Sequence, residues 1–116
     1  LGGDDTLYVF EAPIDLLSYI SLFPEGWQEH NYVACCGTSS IPVMEMLRQL
    51  PQLRQVYLCL DNDAAGHAAS ERMGKLLEER GISADRLVPQ QKDWNDDLKA
   101  EQENKMERSE LCQTFC

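Results

Sequence analysis

A chain of 116 residues, 43% hydrophobic and 26% charged, can bury one core but not two, so a single globular domain is expected. Its net charge of −10 argues against a domain that grips a nucleic-acid backbone unaided, because phosphate binding calls for basic surface. No apolar run approaches membrane-spanning length and no signal-peptide pattern is present, so no membrane partner is expected.

The opening Leu1-Gly2-Gly3-Asp4-Asp5, without an initiating Met, reads as a piece of something larger, with residues 1–4 a disordered leader. Thr6 to Phe10 is a short β-rich run. Pro13 then suits a first helical position, and Ile14, Leu17 and Ile20 recur at helical spacing as the apolar stripe of a helix that Pro24-Glu25-Gly26 stops. A second strand is expected from Asn31 to Cys36, ending in Gly37-Thr38-Ser39-Ser40, where Gly permits a tight turn and a Ser can cap the next helix. That helix carries the stripe Val43, Met46, Leu47 and Leu50 and ends at Pro51.

The third strand, Gln55 to Leu60, runs into Asp61-Asn62-Asp63-Ala64-Ala65-Gly66. A helix follows with Ala65, Ala69, Met73 and Leu76 as its expected buried face and Gly81 as its C′ residue. Asp85 to Val88 is a weaker fourth strand closed by Pro89. After Trp94 the chain becomes charged, with Leu98 and Met106 as its clear anchors, and residues 99–116 read as an exposed C-terminal helix or tail. The five cysteines are an odd number, and Cys35, Cys36 and Cys59 fall in expected strands. This usage suits a reduced, cytoplasmic setting, with Cys112 and Cys116 as free thiols.

Strict alternation of strand and helix implies an α/β fold: a parallel sheet with helices on both faces and ligands beyond the carboxyl ends of the strands. Glu11, Gly37 and the Asp61/Asp63 pair all fall there. For Glu11 and Asp61 to share a site, strands one and three must be neighbours, which favours the order 2-1-3-4.

Two carboxylates two apart in extended backbone point the same way and repel unless a cation neutralises them, and oxygen donors suit Mg2+. Asp61 or Asp63 can equally cap the next helix, and Glu11 and Asp15 can be exposed first-turn acids favoured by the helix dipole; for Asp15 that plain role is the preferred one. A calcium loop would need oxygen ligands where Ala65 and Arg72 stand, and neither a P-loop nor a Gly-x-Gly-x-x-Gly turn occurs. Lys92-Asp93-Trp94-Asn95-Asp96 brings further acids to the same edge after the fourth strand, where Asp93, Asn95 and Asp96 can also cap the last helix.

Taken together, Val9-Phe10-Glu11-Ala12-Pro13-Ile14-Asp15, Cys36-Gly37-Thr38, Leu60-Asp61-Asn62-Asp63-Ala64-Ala65-Gly66 and Lys92-Asp93-Trp94-Asn95-Asp96 resemble the Toprim domain over residues 5–98. That metal-binding module is shared by bacterial-type primases, topoisomerases and some nucleases and recombination proteins. The lysine-aspartate segment is most similar to the primase branch, including primase-like proteins of mobile elements, although Trp94 stands where that branch has Pro.

The resemblance implies a three-layer, Rossmann-like fold and Mg2+ or Mn2+, one or two ions. Asp61 and Asp63 would be ligands, with Asp93 or Asp96 contributing and Glu11 binding metal or acting as acid/base. It further implies nucleotidyl transfer to a primer hydroxyl, with DNA or RNA and nucleotides as partners of the whole protein. Gly37, Thr38, Lys92 and His67 are candidate phosphate contacts, though a solvated lysine and an exposed histidine are the plainer readings. Strand cleavage, or a non-catalytic assembly role, stays open. Tyr8, Tyr32 and Tyr57 read as strand core and Tyr19 as helix, which leaves no free tyrosine nucleophile for a topoisomerase.

Overall fold

The computed structural model describes the backbone of residues 2–115 and the side chains of residues 2–107. The elements run β1 (Thr6–Phe10), α1 (Pro13–Leu22), a 3-10 turn (Trp27–Glu29), β2 (Asn31–Ala34), α2 (Ile41–Gln49), β3 (Gln55–Leu58), α3 (Ala64–Glu79), β4 (Ser83–Arg86) and α4 (Trp94–Phe115). The strands form one parallel sheet in the order β2-β1-β3-β4, with Tyr8 opposite both Tyr32 and Tyr57, and Leu58 opposite Arg86. This is the α/β architecture and strand order expected from the alternation.

Period-two alternation in the central strands divides the core in two. Leu7, Val9, Val56, Leu58 and Leu60 face α2 and α3, where Val43, Ala69, Met73 and Leu77 are buried against them. Phe10 and Cys59 point the other way, toward Trp94 of α4 and toward Leu16, Tyr19 and Leu22 of α1. On that second face Tyr8 stacks between Tyr32 and Tyr57, with ring centroids 5.5 and 5.0 Å away. Burial raises the Tyr32 hydroxyl to about 12, so the phenol stays protonated at neutral pH.

Several local expectations change. The stripe of α1 is inverted: Ile14 and Leu17 are 54% and 60% exposed, whereas Asp15 and Ser18 are buried. This helix starts at the sheet's carboxyl edge, where it meets polar groups from α4. The Ser18 hydroxyl donates to the Ile14 carbonyl and lies 3.3 Å from Asn95 Oδ1. In α3 the buried face is rotated to Gly66, Ala69, Ser70, Met73 and Leu77, leaving Ala65 exposed.

Cys36 is exposed at φ 54°, in the turn after β2 rather than in a strand. Met106 is 64% exposed and anchors nothing, while Trp94 docks the start of α4 by donating its indole N–H to the Cys59 carbonyl at 2.9 Å. Near the start of the chain, Gly2 N donates to His30 O and Asp4 N to Glu29 O. The side chains of Cys112 and Cys116 lie outside the described residues.

Candidate metal centre

Four helices start at the carboxyl edge of the sheet, and three of them, α1, α3 and α4, bring an acid. Asp15 lies in the first turn of α1. Asp63 is the N-cap of α3, its Oδ1 accepting from Gly66 N at 2.7 Å. Asp93 occupies the equivalent place before α4, with Oδ1 accepting from Asp96 N at 2.8 Å. The positive ends of the helix dipoles therefore face the same small region and partly offset its negative charge. Capping and cluster formation prove compatible, since a carboxylate that caps with one oxygen keeps another.

Asp61 stands just past β3 at the centre. One oxygen from each of Asp15, Asp61 and Asp93 can be chosen so that all lie within 4.8 Å of one another. Glu11, just past β1, accepts a hydrogen bond from Asp61 N at 3.3 Å and so borders the cluster. Burial pushes the Asp61 carboxyl up to about 6, with repulsion from Glu11, Asp93 and Asp63 adding to it. Asp15 is likewise pushed up to about 6, first by burial and then by Asp93 and Asp61; a hydrogen bond from the Asn95 amide acts against the rise.

These residues fit a hard divalent cation. The donors are all oxygens, and Asp61 Oδ1 is buried without a hydrogen-bond partner. With one oxygen from each within 4.8 Å of the others, Asp15, Asp61 and Asp93 could share one small divalent cation, water supplying its remaining ligands.

The remaining sequence candidates are distributed around this centre. Asp63 is outside the trio, and Asp96 contributes its backbone amide to the Asp93 cap. Gly37 donates its amide to Glu11 O and adopts φ 137°, and Thr38 O accepts from Arg72 at 2.6 Å. Lys92 is exposed, and its carbonyl accepts from Asn62 N at 2.6 Å. His67 is exposed, with Nε2 3.1 Å from Asn62 Oδ1.

Gly66 has a steric role. A Cβ there would fall well inside 3.0 Å of the Asp61 carbonyl oxygen, so only glycine lets α3 start this close to the ligand loop.

Sequence reasoning passed over Asp15, which is 3% exposed and one of the three converging acids. The available signal was its place one turn after Glu11, on a face shared with Ser18 and Leu22. A cleft of about 710 Å³ between the end of α1 and α4, floored by Phe23, Val88 and Trp94, contains none of the three carboxylates. The acids lie apart from this cleft, with Asp15 buried and Asp61 and Asp93 half-buried.

The family profile described as Toprim-like matches residues 8–98. An uncharacterised Mycoplasma pneumoniae protein, the MG010 homologue, is 31% identical over 94 residues, covering 79% of this chain and 42% of its own. The primase fragment of the bacteriophage T7 primase-helicase superposes with a TM-score of 0.65 at 23% identity, covering 92% of this chain and 44% of that one. The same score and identity are found for a structure of the T7 lagging-strand DNA polymerase with primase domains bound to an RNA/DNA hybrid and dTTP, where 54% of the matched chain is covered. The chain thus spans about half the length, or less, of the proteins it matches. With the profile covering most of its length and the fold agreeing, the chain belongs to the Toprim-like family.

Proposed function

We propose that this chain is the Mg2+- or Mn2+-dependent catalytic domain of a larger cytoplasmic nucleic-acid enzyme that carries out primase-like nucleotidyl transfer. The observation that carries the reading is the meeting of Asp15, Asp61 and Asp93 at the sheet's carboxyl edge, with Glu11 hydrogen-bonded beside them. The T7 primase likeness supports the primase context at the level of the fold. A bound divalent cation would supply charge neutralisation for phosphoryl oxygens and lower the pKa of a coordinated hydroxyl.

The chain's own residues have separate tasks in this scheme. Asp15, Asp61 and Asp93 hold the cation, and Asp63 places its second carboxylate oxygen nearby. Glu11 orients Asp61 through the Asp61 amide and is the group positioned to accept a proton from an attacking hydroxyl. Lys92, His67, Gly37 and Thr38 line the approach for phosphates. With a net charge of −10, the chain leaves the holding of template and primer to the rest of the longer protein.

The test is thermal melting of the 116-residue chain against Mn2+ and Mg2+, with Asp61→Asn/Asp63→Asn as control. Binding to the native state must raise the melting temperature, and at 100 times Kd it adds about 2.7 kcal/mol. An unchanged melting temperature, or an equal rise in the double variant, refutes the metal centre and leaves a non-catalytic assembly module. In the longer protein, Asp61→Asn should abolish primer synthesis on a single-stranded template.

A further inference from the structure

The hydrogen-bonded ladder between β3 and β4 ends at Leu58, which faces Arg86, but the ligand Asp61 stands three residues farther on. The carbonyls beyond that point would have no strand partner on the β4 side. The Arg86 side chain supplies one. Its NH1 donates to Leu60 O at 2.6 Å and its NH2 to Asp61 O at 2.8 Å, while NH1 also shares Leu58 O, at 3.1 Å, with the Leu87 amide. NH1 also reaches the neighbouring Leu87 O at 3.1 Å. One guanidinium thus continues the sheet's edge to the base of the metal-binding loop.

A second set of bonds ties the same loop sideways. Arg86 NH2 lies 3.4 Å from His67 Nδ1, which accepts and so places the ring proton on Nε2, facing Asn62 Oδ1 at 3.1 Å. Asn62 Nδ2 donates to Pro89 O at 3.2 Å, and Asn62 N donates to Lys92 O, one residue before Asp93. Arg86, His67 and Asn62 therefore join β4, α3 and the loop before α4 around Asp61. Arg86 also brings a fixed positive charge within electrostatic reach of Glu11, Asp61 and Asp63.

We propose that Arg86 is a positioning residue that sets the geometry of the cation site by clamping the end of β3; this rests on the metal-centre reading above. The bonds demand a planar fork with several donors in fixed directions. Lysine, with the same charge but a single nitrogen, cannot reach the same carbonyls together. Geometry, rather than charge, then decides the phenotype.

The experiment compares wild type, Arg86→Lys and Arg86→Gln by Mn2+ titration calorimetry, with amide hydrogen exchange in EDTA. Arg86→Lys is expected to weaken Mn2+ binding by about 10–100-fold, as loss of an outer-shell partner does, and to speed exchange of the Asn62 amide. Arg86→Gln should weaken binding comparably. Wild-type affinity in Arg86→Lys, or tighter binding in Arg86→Gln, overturns the proposal, because charge would then outweigh geometry.

If either Arg86 variant does not fold, His67→Ala, which removes only the lateral brace, should lose several-fold in affinity with Asn62 exchange accelerated. No change in either measurement overturns the proposal. If wild type binds no Mn2+, the metal reading fails separately. The clamp is then judged by Asn62 exchange alone: acceleration in Arg86→Lys supports it and unchanged protection refutes it.

Discussion

Asp15→Asn removes one charge from the carboxylate cluster while keeping the side chain's size and its acceptor for the Asn95 amide. It should therefore move metal-free and metal-dependent stability in opposite directions. At the 4.8 Å limit that bounds the three oxygens, one fully ionised pair repels by about 3.5 kcal/mol at an effective dielectric of about 20. Asp15 has two such partners, Asp61 and Asp93, but both are only half-buried, and solvent screening reduces the effect. A net gain of about 1–2 kcal/mol at pH 7.5 in EDTA is a reasonable magnitude.

With Mn2+ the sign reverses. At 100 times the wild-type Kd the ion stabilises wild type by about 2.7 kcal/mol; a tenfold loss of affinity cuts that to about 1.4 kcal/mol. Urea unfolding with and without Mn2+ measures both quantities on the same preparations, with unchanged m-values as the check that the states compared are the same. An Asp15→Asn chain that is less stable in EDTA and keeps the full Mn2+ increment would refute the reasoning. It would reduce Asp15 to a buried acceptor for Asn95.

Three further outcomes are expected. Asp15 and Asp61 titrate near 6 when folded against an ordinary 3.8, so the folded state binds more protons than the unfolded one between those values. Their contribution to metal-free stability is fully present below about pH 4 and is lost as pH rises through about 6, amounting to about 1–2 kcal/mol each after screening; subtracting the Asp15→Asn and Asp61→Asn profiles from wild type isolates it. Gly66→Ala should cost about 2–4 kcal/mol in urea and abolish Mn2+ stabilisation, because the new methyl group overlaps the Asp61 carbonyl. Trp94→Phe should cost about 1–3 kcal/mol, since it leaves the Cys59 carbonyl buried without its indole donor.

Much of the architecture can be read directly from the chain. The strands have apolar residues on both faces, as in Leu7 and Val9 against Tyr8 and Phe10, which marks a parallel sheet covered on each side. The Gly81 break is equally legible: φ 75°, with Ile82 N bonded to Leu77 O and Gly81 N to Glu78 O.

The first helix is not legible in the same way. Apolar spacing puts Ile14 and Leu17 inside, but the helix approaches the sheet at its polar edge, and Asp15 and Ser18 are buried among partners from α4. Periodicity gives the angle between side chains around a helix; it does not say which angle faces the sheet when both faces have something to offer.

The sequence alone determines that acids gather after strands one, three and four, because parallel strands all end at one edge. Only the tertiary structure decides which of them meet. Asp63 and Asp93 both cap a helix, yet only Asp93 joins Asp15 and Asp61, while Glu11 accepts from the Asp61 amide. The physical reason is that adjacency across three separate helix starts depends on how closely each packs against the sheet. That closeness is set here locally by Gly66 against Asp61 and at long range by Trp94, which bonds Cys59 from 35 residues along the chain.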